Sequence, residues 1–271
     1  MRQQRFCSLV LALLFLAPLL IAAPEALRAH THEGVVYTSD QTWSGNISLG
    51  ADVTIASGVT LIIQSGTHIN VTEDITITIQ GDLEIQGTPE SPVNIWGSWI
   101  AETSIQPRWQ GFLLETGSLS TVSHAIITAS RGAFEVESGA DLTIESSQIT
   151  DSIIGIWNKG SVSGNGIECF TATVTCLQVD GIANLNNISS TNSAGVVHVS
   201  NGGDATIGAI HSNQDTGVLV LDGGSTYSGA IYAGAFINKN CMQLSASIQL
   251  FGIEVVPEHE VAVTMGQTRG T

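Results

Sequence analysis

The side chains able to do chemistry are few, and each group implies a different use. Trp96, Trp99 and Trp109 fall within fourteen residues and are three of the chain's five tryptophans. Flat indole faces stack on sugar rings or anchor a partner, and they also serve as satellite core where a loop folds back over a sheet edge. Glu115 and Glu137 stand just before successive turns, where two carboxylates about 4.8 Å apart can share a calcium ion or remain solvated turn positions. Calcium takes about six to eight oxygens, far more than two side chains supply. Cys169 and Cys176, with six residues between them, are expected to pair as a disulfide if the chain is exported, which leaves Cys241 as a free thiol. Asn46-Ile-Ser, Asn70-Val-Thr and Asn187-Ile-Ser are glycosylation acceptors, with Asn70 favoured because a turn at Thr72 to Asp74 follows it. His30 and His32 alternate near the N-terminus and read either as a copper or nickel site with a new amine or as a solvated lead.

Charge narrows the partners. The net charge is −16, and the only lysines are Lys159 and Lys239. Nucleic acid needs a basic footprint, so no nucleic-acid partner is expected. An extracellular glycan or another surface protein suits such a surface better.

These residues are carried on a repeat. Units beginning at Gly117, Ala140, Gly160, Gly181, Gly203 and Gly224 are spaced by 20 to 23 residues. Each has alternating apolar positions two and four residues in, such as Leu142 and Ile144, which is strand spacing. An isoleucine follows (Ile126, Ile149, Ile167, Ile188, Ile210, Ile231), and a third apolar column precedes the next unit, as at Phe134/Val136 and Val197/Val199. Three short strands and three turns per unit cannot bury an apolar face alone, but stacked units form three parallel sheets around one core. The spacing therefore predicts an all-β parallel β-helix with coils of about 21 or 22 residues. Right-handed coiling follows from connection handedness. The isoleucines from Ile149 to Ile231 are expected in one column, and Ser120, Thr143, Ser163, Asn184, Thr206 and Tyr227 on an outward polar face.

The stretch Gly132-Ala-Phe-Glu-Val-Glu-Ser-Gly-Ala-Asp-Leu-Thr-Ile-Glu-Ser-Ser-Gln-Ile149 resembles the right-handed parallel β-helix, pectin-lyase-like superfamily, over roughly residues 45 to 250. That resemblance implies two enzyme classes, polysaccharide lyase and glycoside hydrolase. The polygalacturonase-like strings Asn-Thr-Asp, Asp-Asp, Gly-His-Gly and Arg-x-Lys do not occur. A pectate-lyase-like site needs an acidic calcium cluster with an arginine base; Arg108 and Arg131, 23 residues apart, stand where arginines could stack, without an aspartate cluster in the sequence around them. No catalytic residue is assigned. The expected role is non-catalytic: structure, adhesion or glycan contact, with the tryptophan-bearing stretch as recognition surface and no cofactor beyond calcium.

The ends and the insertion complete the organisation. Arg2 and Arg5 precede an uncharged apolar run from Phe6 to Ala23, so residues 1–29 read as a secretory signal or, if uncleaved, an anchor. Residues 30–44 are expected as a lead-in and residues 45–271 as the solenoid. Gly81 to Gly117 spans 36 residues, one unit plus an insertion expected to leave the stack over 88–108. The C-terminal part, with Val261-Ala-Val-Thr-Met265, offers no polar cap, which points to a truncated piece, a missing anchor or a covering partner. The expected address is secreted or cell surface.

Overall fold

The computed structural model describes residues 34–72, 74–97, 108–221 and 225–232, and for the backbone alone 233, 236–239, 243–248 and 255–257. The chain is a parallel β-solenoid, and the described residues contain no helix. Coil one is β1 (Val35–Tyr37), β2 (Gln41–Trp43) and β3 (Asn46–Leu49). Coil two is β4 (Val53–Ile55), β5 (Thr60–Gln64) and β6 (His68–Val71). Coil three is β7 (Thr76–Ile79), β8 (Asp82–Gln86) and β9 (Val93–Gly97), and coil four is β10 (Gly111–Leu114), β11 (Leu119–Ser123) and β12 (Ala125–Thr128).

From coil five the second and third strands run together as one bent ten-residue strand. β13 (Gly132–Val136) leads into β14 (Asp141–Thr150), and β15 (Ile154–Asn158) into β16 (Ser161–Phe170). β17 (Thr175–Val179) leads into β18 (Ile182–Thr191), and β19 (Gly195–Val199) into β20 (Asp204–Asn213). β21 (Gly217–Leu221), β22 (Thr226–Ala233), β23 (Phe236–Lys239), β24 (Gln243–Ile248) and β25 (Val255–Pro257) continue the stack.

The first strands of the coils form an 11-stranded parallel sheet, here face one; the second and third belong to a 14-stranded sheet whose two limbs are faces two and three. The bend between those limbs is made by left-handed backbone at Ser146 and Gly166, φ 48° and 71°. A second left-handed column, Ala129, Asp151, Thr171 and Asn192, turns face three back to face one. The cost of holding such non-glycine residues there, about 1 kcal/mol or more each, is offset by coil-to-coil bonds: Asp151 N–H to Phe170 C=O at 3.0 Å and Thr171 N–H to Thr191 C=O at 3.1 Å.

The interior is one apolar cluster from Trp43 to Ile231. Phe112 stacks on Phe134 with centroids 5.3 Å apart, and Trp109 meets Phe112 edge-on at 5.5 Å. Each fully buried isoleucine or leucine contributes roughly 1.5–3 kcal/mol, and parallel sheets covered on the inner face need that burial to hold.

Register departs from the sequence expectation in four places. Ser120 and Tyr227 point inward and are buried, in register with Leu142 and Ala205 respectively. The outward column is therefore Thr121, Thr143, Ser163, Asn184, Thr206 and Ser228. For Ser120 the reason is the turn: Gly117 and Gly139 carry the left-handed backbone, φ 92° and 82°, so Gly117 is equivalent to Gly139 and not to Ala140; for Tyr227 it is the same one-residue slip at Gly203, since Asp204 pairs with Thr226. Ile167, Ile188, Ile210 and Ile231 do stack, but Ile149 lies in the neighbouring inward column between Ile127 and Cys169. The solenoid also starts earlier than residue 45, because β1 and β2 already pair with β4 and β5. Finally, β9 pairs with β6 and β12, so Val93–Gly97 belongs to the stack and the extra length is split between the turn before β9 and the residues after Gly97. Residues 98–107, 1–33 and 258–271 lie outside the described residues, and with them the signal, insertion and C-terminal expectations.

Candidate functional site: a cleft at the bend onto face three

The turn Thr88–Ser91 closes on itself, with Thr88 N–H to Ser91 C=O at 3.2 Å and Ser91 N–H to Thr88 C=O at 3.1 Å. Gly66 N–H donates to Ser91 C=O and Gly87 N–H to Ser123 C=O, which fixes the turn between coils two and four. Beside it the chain bends at His124 (φ 48°) and, one coil on, at Ser146. Ser147 Oγ stiffens that bend by donating to Glu145 C=O and accepting from Ala125 N–H. Between the standing turn and the bend lies a cleft of about 290 Å³ lined by Pro89, Pro92, His124, Ile126, Gln148 and Glu168, among others.

The polar groups at this cleft face outward. Gln148 Nε2 donates to Glu168 Oε2 at 3.1 Å, and Ser123 Oγ meets His124 Nδ1 at 2.8 Å. Asn94, Ile126, Gln148 and Glu168 form one outward column of face three, in register from coil to coil. Trp96 stands in the adjoining column, in register with Thr128. It is 37% exposed, with its ring edge-on to His68 at 6.0 Å. The amide and carboxylate at the cleft can hydrogen-bond hydroxyls, and the exposed indole two coils from Gln148 on the same face can stack on an apolar ring face.

The three tryptophans thus divide. Trp96 is exposed on the same face as the cleft without lining it, and Trp99 lies outside the described residues. Trp109 is buried, its Nε1–H donating to Thr128 C=O at 3.2 Å, so it is core and offers no recognition face. Strand alternation alone would not bury both Trp109 and Phe112, three residues apart; between them Gly111 takes left-handed backbone, φ 114°.

Glu137 already has a cation. Lys159 Nζ bonds Glu135 Oε1 at 2.6 Å and Glu137 Oε1 at 2.7 Å and sits 4.2 Å over the Trp157 ring. Burial lowers the Lys159 pKa, but the two carboxylate hydrogen bonds outweigh it and the value stands above the ordinary range. Trp157 Nε1–H donates to Asp180 Oδ2 at 2.8 Å. Asp180 also accepts from Ser200 and Gln178, and although burial works the other way these hydrogen bonds hold its pKa below the carboxylate range. This network on face one was not read from the sequence. The pairs Glu135/Glu137 and Trp157/Lys159, two residues apart and 22 residues on, carried the signal.

Arg108 and Arg131 do come together, and aspartates accompany them. Arg131 lies 3.6 Å from Asp74, and Arg108 Nη1 donates to Ser130 C=O at 3.3 Å. Burial lowers the Arg108 pKa, opposed by Asp151 and aided by Arg131. Asp74 and Asp151, distant in sequence, escaped a search for local acidic strings.

Cys169 and Cys176 are joined as a disulfide with Cα atoms 5.8 Å apart, both buried, across the turn from face three to face one. Cys241, His30 and His32 lie outside the described residues. Asn46 is exposed on β3. Asn70 lies within β6 and is half-buried. Asn187 Oδ1 accepts Gly166 N–H at 3.0 Å, so its side chain helps to build the bend. No known family model matches this chain, and no curated protein or solved structure matches it.

Proposed function

We propose that this chain is a secreted or cell-surface β-solenoid of the pectin-lyase-like kind that contacts an extracellular glycan without turning it over. The supporting observation is the cleft at the bend onto face three, with the Gln148–Glu168 pair in its lining and Trp96 exposed on the same face, two coils from Gln148. A neutral glycan fits it best. The net charge of −16 repels polyanions, while stacking and hydroxyl hydrogen bonds need no cation. Export also accords with the buried disulfide, which forms in oxidising compartments. Contact of this kind uses no cofactor.

The test is a titration of wild type, Gln148→Ala and Glu168→Ala with neutral glucan, xylan and mannan oligomers. The reading expects binding by wild type and its weakening in both variants; identical isotherms for all three proteins contradict it.

A second reading, a polysaccharide lyase or glycoside hydrolase, has one observation in its favour: Arg108, with its pKa lowered by burial, stands beside Arg131 and near Asp74 and Asp151. β-Elimination needs a base of this sort and neutralisation of the substrate carboxylate. Release of unsaturated products from polygalacturonate or alginate, with calcium present, would select this reading and displace the first.

A further inference from the structure

Exposed rings are unevenly shared among the three outer faces. Face two presents Thr121, Thr143, Ser163, Asn184, Thr206 and Ser228 along its central column, without a ring. Face one contributes Trp157, which is engaged with Lys159 and Asp180. Face three carries Trp96, Phe170 and Tyr232, none of them buried, and Tyr232 is 43% exposed.

Their spacing along the axis is regular. Trp96 is in register with Thr128, Thr128 with Thr150, and Thr150 with Phe170, so three coil steps separate the first two rings. From the coil of Phe170 to that of Tyr232 there are again three steps, although Tyr232 stands in the adjoining outward column, in register through His211 and Ser189 with Glu168. Each interval is about 14 Å at a rise of about 4.8 Å per coil, and the whole track is about 29 Å long. Hydroxyl side chains stand between the rings. Tyr232 is held upright by a parallel stack on His211, centroids 4.9 Å apart and planes at 9°.

We propose that face three is an axial track for an extended, uncharged polysaccharide chain, with the cleft and Trp96 at one end and the His211–Tyr232 stack at the other. This inference rests on the glycan-contact reading and deepens it from a single sugar site to a polymer. Three ring platforms separated by small hydroxyl residues match a chain that alternates apolar ring faces with hydroxyl edges. A short oligosaccharide reaches one platform and a long one reaches all three. The exposed Glu168 on the track, together with the net charge, excludes polyuronates as the occupant.

The experiment measures dissociation constants for β-1,4-linked glucose, xylose and mannose oligomers, from dimer to octamer, with wild type and Tyr232→Ala. Unchanged circular dichroism of the variant serves as the fold control. The track predicts that affinity for at least one series rises with length by about a hundredfold between trimer and octamer, as two further ring contacts of about 1.4 kcal/mol each would give. Tyr232→Ala should reduce that rise to about tenfold, the step that Trp96 and Phe170 alone supply. Trimer binding with no dependence on length, or a length dependence left unchanged in Tyr232→Ala, overturns the track and leaves the cleft reading standing. Failure of every oligomer to bind wild type overturns both.

Discussion

On face one, Trp157, Lys159 and Asp180 answer one another: the indole N–H has its carboxylate, the ammonium has two carboxylates and a ring, and the aspartate collects further hydrogen bonds from Ser200 and Gln178. On face three, Gln148 and Glu168 near the bend and Trp96 two coils from Gln148 use far less of their capacity on the chain itself. Both regions are aromatic and acidic, and composition alone does not separate them. What separates them is satisfaction. A polar cluster that closes on itself stabilises the coils, whereas one held by a standing turn with donors and acceptors outward is available to a ligand.

The largest effect should come from beneath the open region. Trp109 is buried under the end of the strand that bears Trp96, so Trp109→Ala should cost about 3–5 kcal/mol of stability, read as a lowered urea midpoint. Trp96→Ala, in contrast, should leave that midpoint within about 0.5 kcal/mol of wild type. Next comes the closed network. Asp180→Ala removes the acceptor of Trp157, Ser200 and Gln178 and should cost about 1–2 kcal/mol, toward the lower end of the range for orphaned partners because the site is partly open to water.

The same carboxylate gives a pH dependence with a definite sign. The folded-state pKa of Asp180 is depressed, so its contribution is present above its unfolded value of about 3.9 and is lost as pH falls through the folded one. The stability gap between wild type and Asp180→Asn should therefore be largest near neutrality and close in strong acid; a gap that widens on acidification contradicts the network. Smallest of all on stability are Gln148→Ala and Glu168→Ala, expected within about 0.5 kcal/mol of wild type, so their binding losses cannot be ascribed to unfolding.

Much of the architecture was legible because a solenoid writes its period into the chain. The spacing of 20 to 23 residues and the apolar alternation gave parallel coils with three faces. Register was less legible, since it depends on which glycine takes the left-handed turn backbone. Aligning Gly117 with Ala140 moved Ser120 to the wrong face, although Gly139 is the true equivalent, and aligning Gly203 with Gly224 did the same to Tyr227, although Asp204 pairs with Thr226. The two short strands β6 and β9 were also missed, and with β9 the fact that Trp96 belongs to the stack. Within the candidate site, Trp96 stood out as an aromatic, but Gln148 and Glu168 are ordinary residues 20 apart that only the stacking of coils makes neighbours. Long-range pairing of that kind leaves no local trace.

The claim that recognition belongs to the open region and not the closed one is tested most directly by a matched pair of tryptophan variants. Trp96→Ala and Trp157→Ala, each shown to retain its β-sheet signal, are titrated with the neutral oligomer that wild type binds best. The account predicts that Trp96→Ala weakens binding by about tenfold, equivalent to about 1.4 kcal/mol, while Trp157→Ala stays within about twofold of wild type. A loss in Trp157→Ala with Trp96→Ala unchanged would contradict it.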